Sequence, residues 1–163
     1  MKQLLLVRHA KSSWANQNQD DFDRPLNDRG HRDAPMMAER LQEKKVSINH
    51  IISSTALRAI TTAKYFAKSY GIPESAIVQH DYLYHAPMER YHKAIIQIPD
   101  TVETAAIFAH NPGITDFVNS LTNTRIDDMP TCAIFAITID TTSWTNWATA
   151  KKTRWFVDWP KQA

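Results

Sequence analysis

Cysteine occurs once and glycine three times in these 163 residues. A lone Cys132 rules out an intramolecular disulfide and any paired-cysteine metal motif, and it suits an inert buried thiol. Gly30, Gly71 and Gly113 are too scattered to form a glycine-rich nucleotide loop. No long apolar run is present: residues 133–139 fall far short of the ~20 residues that span a bilayer. The opening apolar stretch is interrupted at Arg8, so it does not read as a signal peptide. Charge of one sign is not in excess either. Nineteen Lys and Arg against seventeen Asp and Glu give a formal +2, too little to argue for a nucleic-acid or membrane partner. His31, His50, His80, His85 and His92 lack HxH or HExxH spacing, so no metal and no cofactor are expected. The expectation is a soluble, cytoplasmic domain covering residues 1–163, its oligomeric state left open.

A composition of 43% hydrophobic and 22% charged residues is that of an ordinary globular chain with a proper core. Short apolar runs alternate with helical periodicity, the pattern of βαβ units. Strands are predicted over residues 3–7, 50–53, 76–79, 104–109, 133–139 and 154–159. Asn27-Asp28 can cap a helix with Ala34, Met37, Ala38 and Leu41 on one face, and Pro35 is expected to kink it. Further helices are predicted over residues 55–70, with Thr55 as the cap and Gly71 as the stop, over 88–98, and from Pro112 to about Leu121. Residues 11–23 are polar and aperiodic, a loop over one sheet edge. The tryptophans between Trp144 and Trp159 read as packing and edge cover. The fold class is α/β, a three-layer sandwich with a mostly parallel central sheet and helices on both faces.

In such a sheet the carboxyl ends of parallel strands share one edge, where ligand sites form. Arg8 and His9 follow the first strand, Arg58 lies in the first turn after the second, and His110 follows the fourth. Two guanidiniums offer planar, permanently charged forks for phosphate oxygens, and helix starts near Thr55 and Asn111 add oriented N–H groups. His9 is then the candidate nucleophile. The neighbouring arginines disfavour its imidazolium, so its pKa should fall below the usual 6.5. His110 would donate to a phosphoryl oxygen as charge develops. Singly, each residue has a plainer reading, with His110 a structural histidine and Arg58 a solvated helix residue.

Together, the segments Leu6-Val7-Arg8-His9-Ala10-Lys11-Ser12, Arg24-Pro25-Leu26-Asn27-Asp28-Arg29-Gly30, Ser53-Ser54-Thr55-Ala56-Leu57-Arg58-Ala59 with Thr62-Ala63, and His110-Asn111-Pro112-Gly113 resemble the histidine phosphatase superfamily. Leu83-Tyr84 and Pro130-Thr131-Cys132-Ala133 are weaker echoes. The resemblance is to its small single-domain, phosphohistidine phosphatase branch and runs along nearly the whole chain. It implies a phosphoglycerate mutase-like fold, covalent phosphorylation of His9, and a phosphate pocket of Arg8, Arg58 and His110, with Ser12 and Asn111 as further substrate contacts and no metal. Two positions depart from the pattern. Ala10 replaces the usual glycine, and Ala15 stands six residues after the nucleophile where many members carry a phosphate-contacting Asn, with Asn16 one residue late. Ser12, Ser13 or Lys11 could substitute there.

An imidazole with a conjugate pKa near 6.5 leaves phosphorus with little help, whereas a serine alkoxide needs a proton donor. Asp81 and Glu89 are the candidate acids after the third strand, and both read more simply as solvated carboxylates. The expected activity is therefore metal-independent hydrolysis of protein phosphohistidine. A phosphomonoesterase acting on a small metabolite and a non-catalytic phosphate-binding module are the alternatives.

Overall fold

The computed structural model describes residues 1–162. Six strands form one sheet: β1 (Lys2–Arg8), β2 (His50–Ser54), β3 (Val78–His80), β4 (Thr104–Ala109), β5 (Ile134–Ile139) and β6 (Lys152–Asp158). Their order is β3-β2-β4-β1-β5-β6. The β3, β2, β4 and β1 neighbours pair in parallel, whereas β5 runs antiparallel to both β1 and β6. The sheet is thus mostly parallel, as expected. Its register aligns Arg8 with Ala109 and Ser53 with Phe108, so β1, β2 and β4 end at one edge.

Alternation along β1 explains the layers. Leu4 and Leu6 enter one core, while Leu5 and Val7 enter the other. On the first face lie α3 (Met88–Ile95) and α4 (Gly113–Leu121), contributing Tyr91, Ile95, Ile114 and Val118. Against the second lie α1 (Asp28–Glu43) and α2 (Leu57–Ser69), contributing Met37, Leu41, Ala63 and Phe66. Full burial of each Ile, Leu, Val, Met or Phe among them stabilises the fold by roughly 1.5–3 kcal/mol. Trp144 and Trp147 are buried in the first core, in agreement with a packing role.

Several boundaries differ from the sequence reading. α1 starts at its expected cap, where Asn27 Oδ1 accepts from Gly30 N–H at 2.9 Å, and it runs on through Pro35 as one helix. Thr55 does not cap α2. Its hydroxyl donates to Asp81 at 2.6 Å, the Ala56 N–H is taken by Ser54 Oγ, and the helix begins at Leu57. α3 stops at Ile95 and β3 begins at Val78, after a short 3-10 turn over Glu74–Ala76. Among the described residues no helix is long and apolar enough to cross a membrane.

Candidate active site

His9 is the first residue past β1, and its backbone is held from both sides. Its N–H donates to Ala109 O at 3.1 Å, and its carbonyl accepts from Cys132 N–H at 3.0 Å. The next residue, Ala10, donates to Thr62 Oγ1, and that hydroxyl donates in turn to Arg58 O. This chain of bonds ties the end of β1 to the first turns of α2 and accounts for Thr62 in the second motif. Because β5 is antiparallel to β1, its entry segment reaches the same edge, and Arg8 Nη1 donates to Met129 O at 2.7 Å.

The imidazole of His9 is oriented for attack. Its Nδ1 lies 2.7 Å from Ala10 O, which can only accept, so the proton sits on Nδ1 and the lone pair on Nε2. Arg58 directs its Nε–H at that Nε2 across 3.4 Å. Burial pushes the His9 pKa down to about 3, and Arg58, Arg8 and Arg24 depress it further, partly offset by the Ala10 carbonyl. The expected direction holds, but burial rather than the arginines is the leading cause. At neutral pH Nε2 is unprotonated, and its lone pair faces the Arg58 Nε–H.

His110 stands beside it, with ring centroids 5.2 Å apart. Ser54 Oγ accepts from Ala56 N–H and lies 2.8 Å from His110 Nε2, to which its own proton can be donated. With Ser54 as donor the His110 proton is on Nδ1, a buried atom with no partner among the described residues. Burial, then the proximity of His9 and Arg58, lowers the His110 pKa to about 2. Both imidazoles are neutral in the free protein.

The structure brings Arg8, His9, Ser12, Arg58, His110 and Asn111 onto one cleft of about 330 Å³. Arg58 is 4% exposed, so it is not a solvated helix residue; His110 is likewise 4% exposed, and its bond to Ser54 is one that a structural histidine would also make. Arg8 Nε is another buried polar atom without a partner among the described residues. Ala15 and Asn16 lie outside the cleft on an exposed loop, while Lys11 and Ser12 line it and Ser13 turns back to accept from Ala15 N–H. The two proposed acids are elsewhere. Asp81 is engaged by Thr55, and Glu89 lines a neighbouring groove. Among the described residues, no three His, Cys, Asp or Glu side chains are grouped to hold a metal ion.

Sequence reasoning gave no site role to the cleft residues Trp14, Asp21, Arg24, His85 and Thr131, nor to Tyr84, which bonds Asp21. Arg24 comes from the Arg-Pro-Leu-Asn segment, and the local fold explains why it reaches inward. Residues 12 and 26 form a bridge, Asn27 N–H donates to Lys11 O, and a side chain on Gly30 would collide with that same carbonyl. Arg24 then donates Nη1–H to Ser12 Oγ at 2.7 Å and Nε–H to Asp21 Oδ1 at 3.0 Å, while Trp14 covers it at 3.6 Å. Asp21 also accepts from Arg58 Nη2 at 3.0 Å and from the Tyr84 hydroxyl at 2.5 Å. Partial burial pushes its carboxyl up, but bonds from Tyr84, Arg24 and Arg58 outweigh this and hold it well below the usual carboxylate range. His85 lines the cleft mouth with φ +55°, a backbone region that costs a non-glycine residue energy and often marks functional segments. The Asp21-x-x-Arg24 spacing was the available signal for that pair.

An arrangement of a neutral imidazole nitrogen facing a guanidinium, with two further arginines and a second imidazole around it, can bind a tetrahedral dianion and accept a phosphoryl group. Comparisons with known proteins point the same way. The sequence profile of the histidine phosphatase superfamily (branch 1) matches residues 4–83, the stretch that carries Arg8, His9, Arg24 and Arg58. The uncharacterized protein ML1117 of Mycobacterium leprae is 34% identical over 119 residues, 71% of each chain. A protein of Photorhabdus laumondii named as a candidate phosphoglycerate mutase, GpmB, is 41% identical over 73 residues, but this chain covers only 33% of its length. In three dimensions, a structure from Agrobacterium tumefaciens described as a candidate phosphohistidine phosphatase, SixA, superposes with a TM-score of 0.82 at 25% identity over 98% of each chain.

Proposed function

The chain belongs to the histidine phosphatase superfamily, and we propose that it is a metal-independent phosphatase working through a covalent phospho-His9 intermediate, with protein phosphohistidine as preferred substrate. One observation carries the reading. His9 Nε2 is unprotonated and faces the Arg58 guanidinium inside a buried cationic cleft.

In the first step His9 Nε2 attacks phosphorus; the bond to the leaving nitrogen breaks, its electron pair stays with the substrate ring, and that ring, protonated on its other nitrogen, departs as neutral imidazole. Arg8, Arg24 and Arg58 take the spread negative charge of the transferring group, and His110 donates Nδ1–H to one of its oxygens. In the second step water attacks phospho-His9 and releases inorganic phosphate, returning the lone pair to Nε2. Once phosphorylated at Nε2, His9 keeps its Nδ1–H bond to Ala10 O, which stabilises the cationic ring of the intermediate and holds it in place.

Two features favour phosphohistidine over esters. Neither Asp81 nor Glu89 reaches the phosphate cleft, so a poor leaving group meets no carboxylic acid from those positions. A larger groove of about 750 Å³ continues from the cleft past His85, His110 and Asn111, giving room for a protein-borne group. Similarity to the protein described as a candidate phosphohistidine phosphatase supports the same choice. The test is hydrolysis of a phosphohistidine peptide against phosphoserine peptide and sugar phosphates, all in chelator. Preference for phosphohistidine is expected, and a clear preference for either ester would overturn the substrate assignment.

A further inference from the structure

Asp21 presents an apparent contradiction. A carboxylate stands in a cleft built to receive an anion, bonded to two of the arginines that the phosphoryl group requires. Either it blocks the site as an internal competitor, or it builds the site by fixing those arginines. The atoms used on Arg58 decide between them. Asp21 engages only the end of the fork: its carbonyl accepts from Nη1 at 2.6 Å and its Oδ2 from Nη2 at 3.0 Å. The side edge is left clear, and its Nε–H is the group aimed at His9 Nε2. On Arg24 the carboxylate takes Nε, while Nη1 holds Ser12. Asp21 therefore leaves the second Nη2 proton of Arg58 and the Nη2 protons of Arg24 for a ligand, and the Arg58 Nε–H stays on the side where His9 presents Nε2.

We propose that Asp21 is a positioning residue, which holds Arg58 and Arg24 in the geometry that receives the phosphoryl group; this rests on the phosphatase reading given above. The charge balance agrees. Arg58 and Arg24 are 4% and 7% exposed and repel one another, so without Asp21 each buried guanidinium loses its counter-charge and turns toward water. Tyr84 locks the carboxylate from the other side through its hydroxyl, and its ring lies 5.2 Å from Phe22 and 5.8 Å from the Arg58 guanidinium. The polar loop is thereby joined to α2 across the cleft. A proton-transfer role does not suit Asp21, because donors from Arg24, Arg58 and Tyr84 drain its basicity.

The test is calorimetric binding of inorganic phosphate, with steady-state turnover, for wild type, Asp21→Ala, Arg58→Ala and the double variant. Asp21→Ala should bind phosphate roughly ten- to a hundredfold more weakly, and Asp21→Asn, which keeps an acceptor but not the charge, should fall between it and wild type. In the Arg58→Ala background the same substitution should cost much less, since most of what it fixes is gone. The Asp21 side chain is 42% exposed, so the melting temperature should hardly move. Unchanged or tighter phosphate binding by Asp21→Ala, or fully additive losses in the double variant, would overturn the proposal while leaving wild-type phosphatase activity standing. A wild-type protein that binds no phosphate would overturn the underlying reading as well.

Discussion

Acid should unfold this protein through its own active site. In the free protein His9 and His110 are 5% and 4% exposed, and burial depresses their pKa values to about 3 and about 2. In the unfolded chain both return to about 6.5. Between those limits the unfolded state binds more protons, so stability is fully present above pH 6.5 and is lost as pH falls. At pH 5 each imidazole is about 97% protonated when unfolded and still neutral when folded. The loss relative to pH 7.5 is then about 1.36 kcal/mol per unit over 1.5 units, or ~2 kcal/mol for each histidine and ~4 kcal/mol for the pair. That figure depends only on the folded values lying well below 5. Against a typical total of 5–15 kcal/mol the effect is large. Urea titrations at pH 7.5 and 5.0, without phosphate, would measure it for wild type and for His9→Gln/His110→Gln. The double variant should lose ~4 kcal/mol less over that interval. His50 and His80 are also lowered by burial, but they remain in both proteins and cancel in the comparison. Parallel losses in the two proteins would refute the claim that these rings fold buried and neutral.

Arg58→Lys keeps a charge but not the fork that engages Asp21 with two nitrogens and His9 with a third, so competitive inhibition by phosphate should weaken roughly tenfold or more; equal inhibition would remove the fork from the argument. Gly113→Ala places a methyl group against the Ala86 backbone carbonyl at the start of α4, where no flexible side-chain tip can yield. Overpacking of this kind should lower stability by about 1–3 kcal/mol in denaturant titration, and an unchanged midpoint would show that the loop can withdraw freely.

The parts of the site most legible in the sequence were those delivered by regular structure. Apolar runs ending in Arg8-His9 and His110, with Arg58 in the turn after another, had to share an edge once the sheet was parallel, and the register places them there. The site roles of Arg24, Asp21 and His85 were hidden because irregular segments carry them to the cleft. Their placement depends on backbone contacts at Lys11 and Leu26 and on a left-handed residue at 85, none of which leaves a periodic signature. Thr55 misled for a related reason. Propensity favours it as a cap, yet Asp81 offered its hydroxyl a better partner and Ser54 served the backbone instead. Burial, too, cannot be read from residue type alone: Arg58 is charged and in a first helical turn, but it lies inside because Asp21 and His9 give its guanidinium partners there.

The most direct measurement is rapid acid-free quenching of the enzyme with labelled phosphohistidine peptide, followed by mass spectrometric mapping. A base-stable, acid-labile phosphoryl group is expected on His9 in wild type, with neither label nor turnover in His9→Ala. Turnover that persists in His9→Ala, or a label on any other residue, would contradict that expectation.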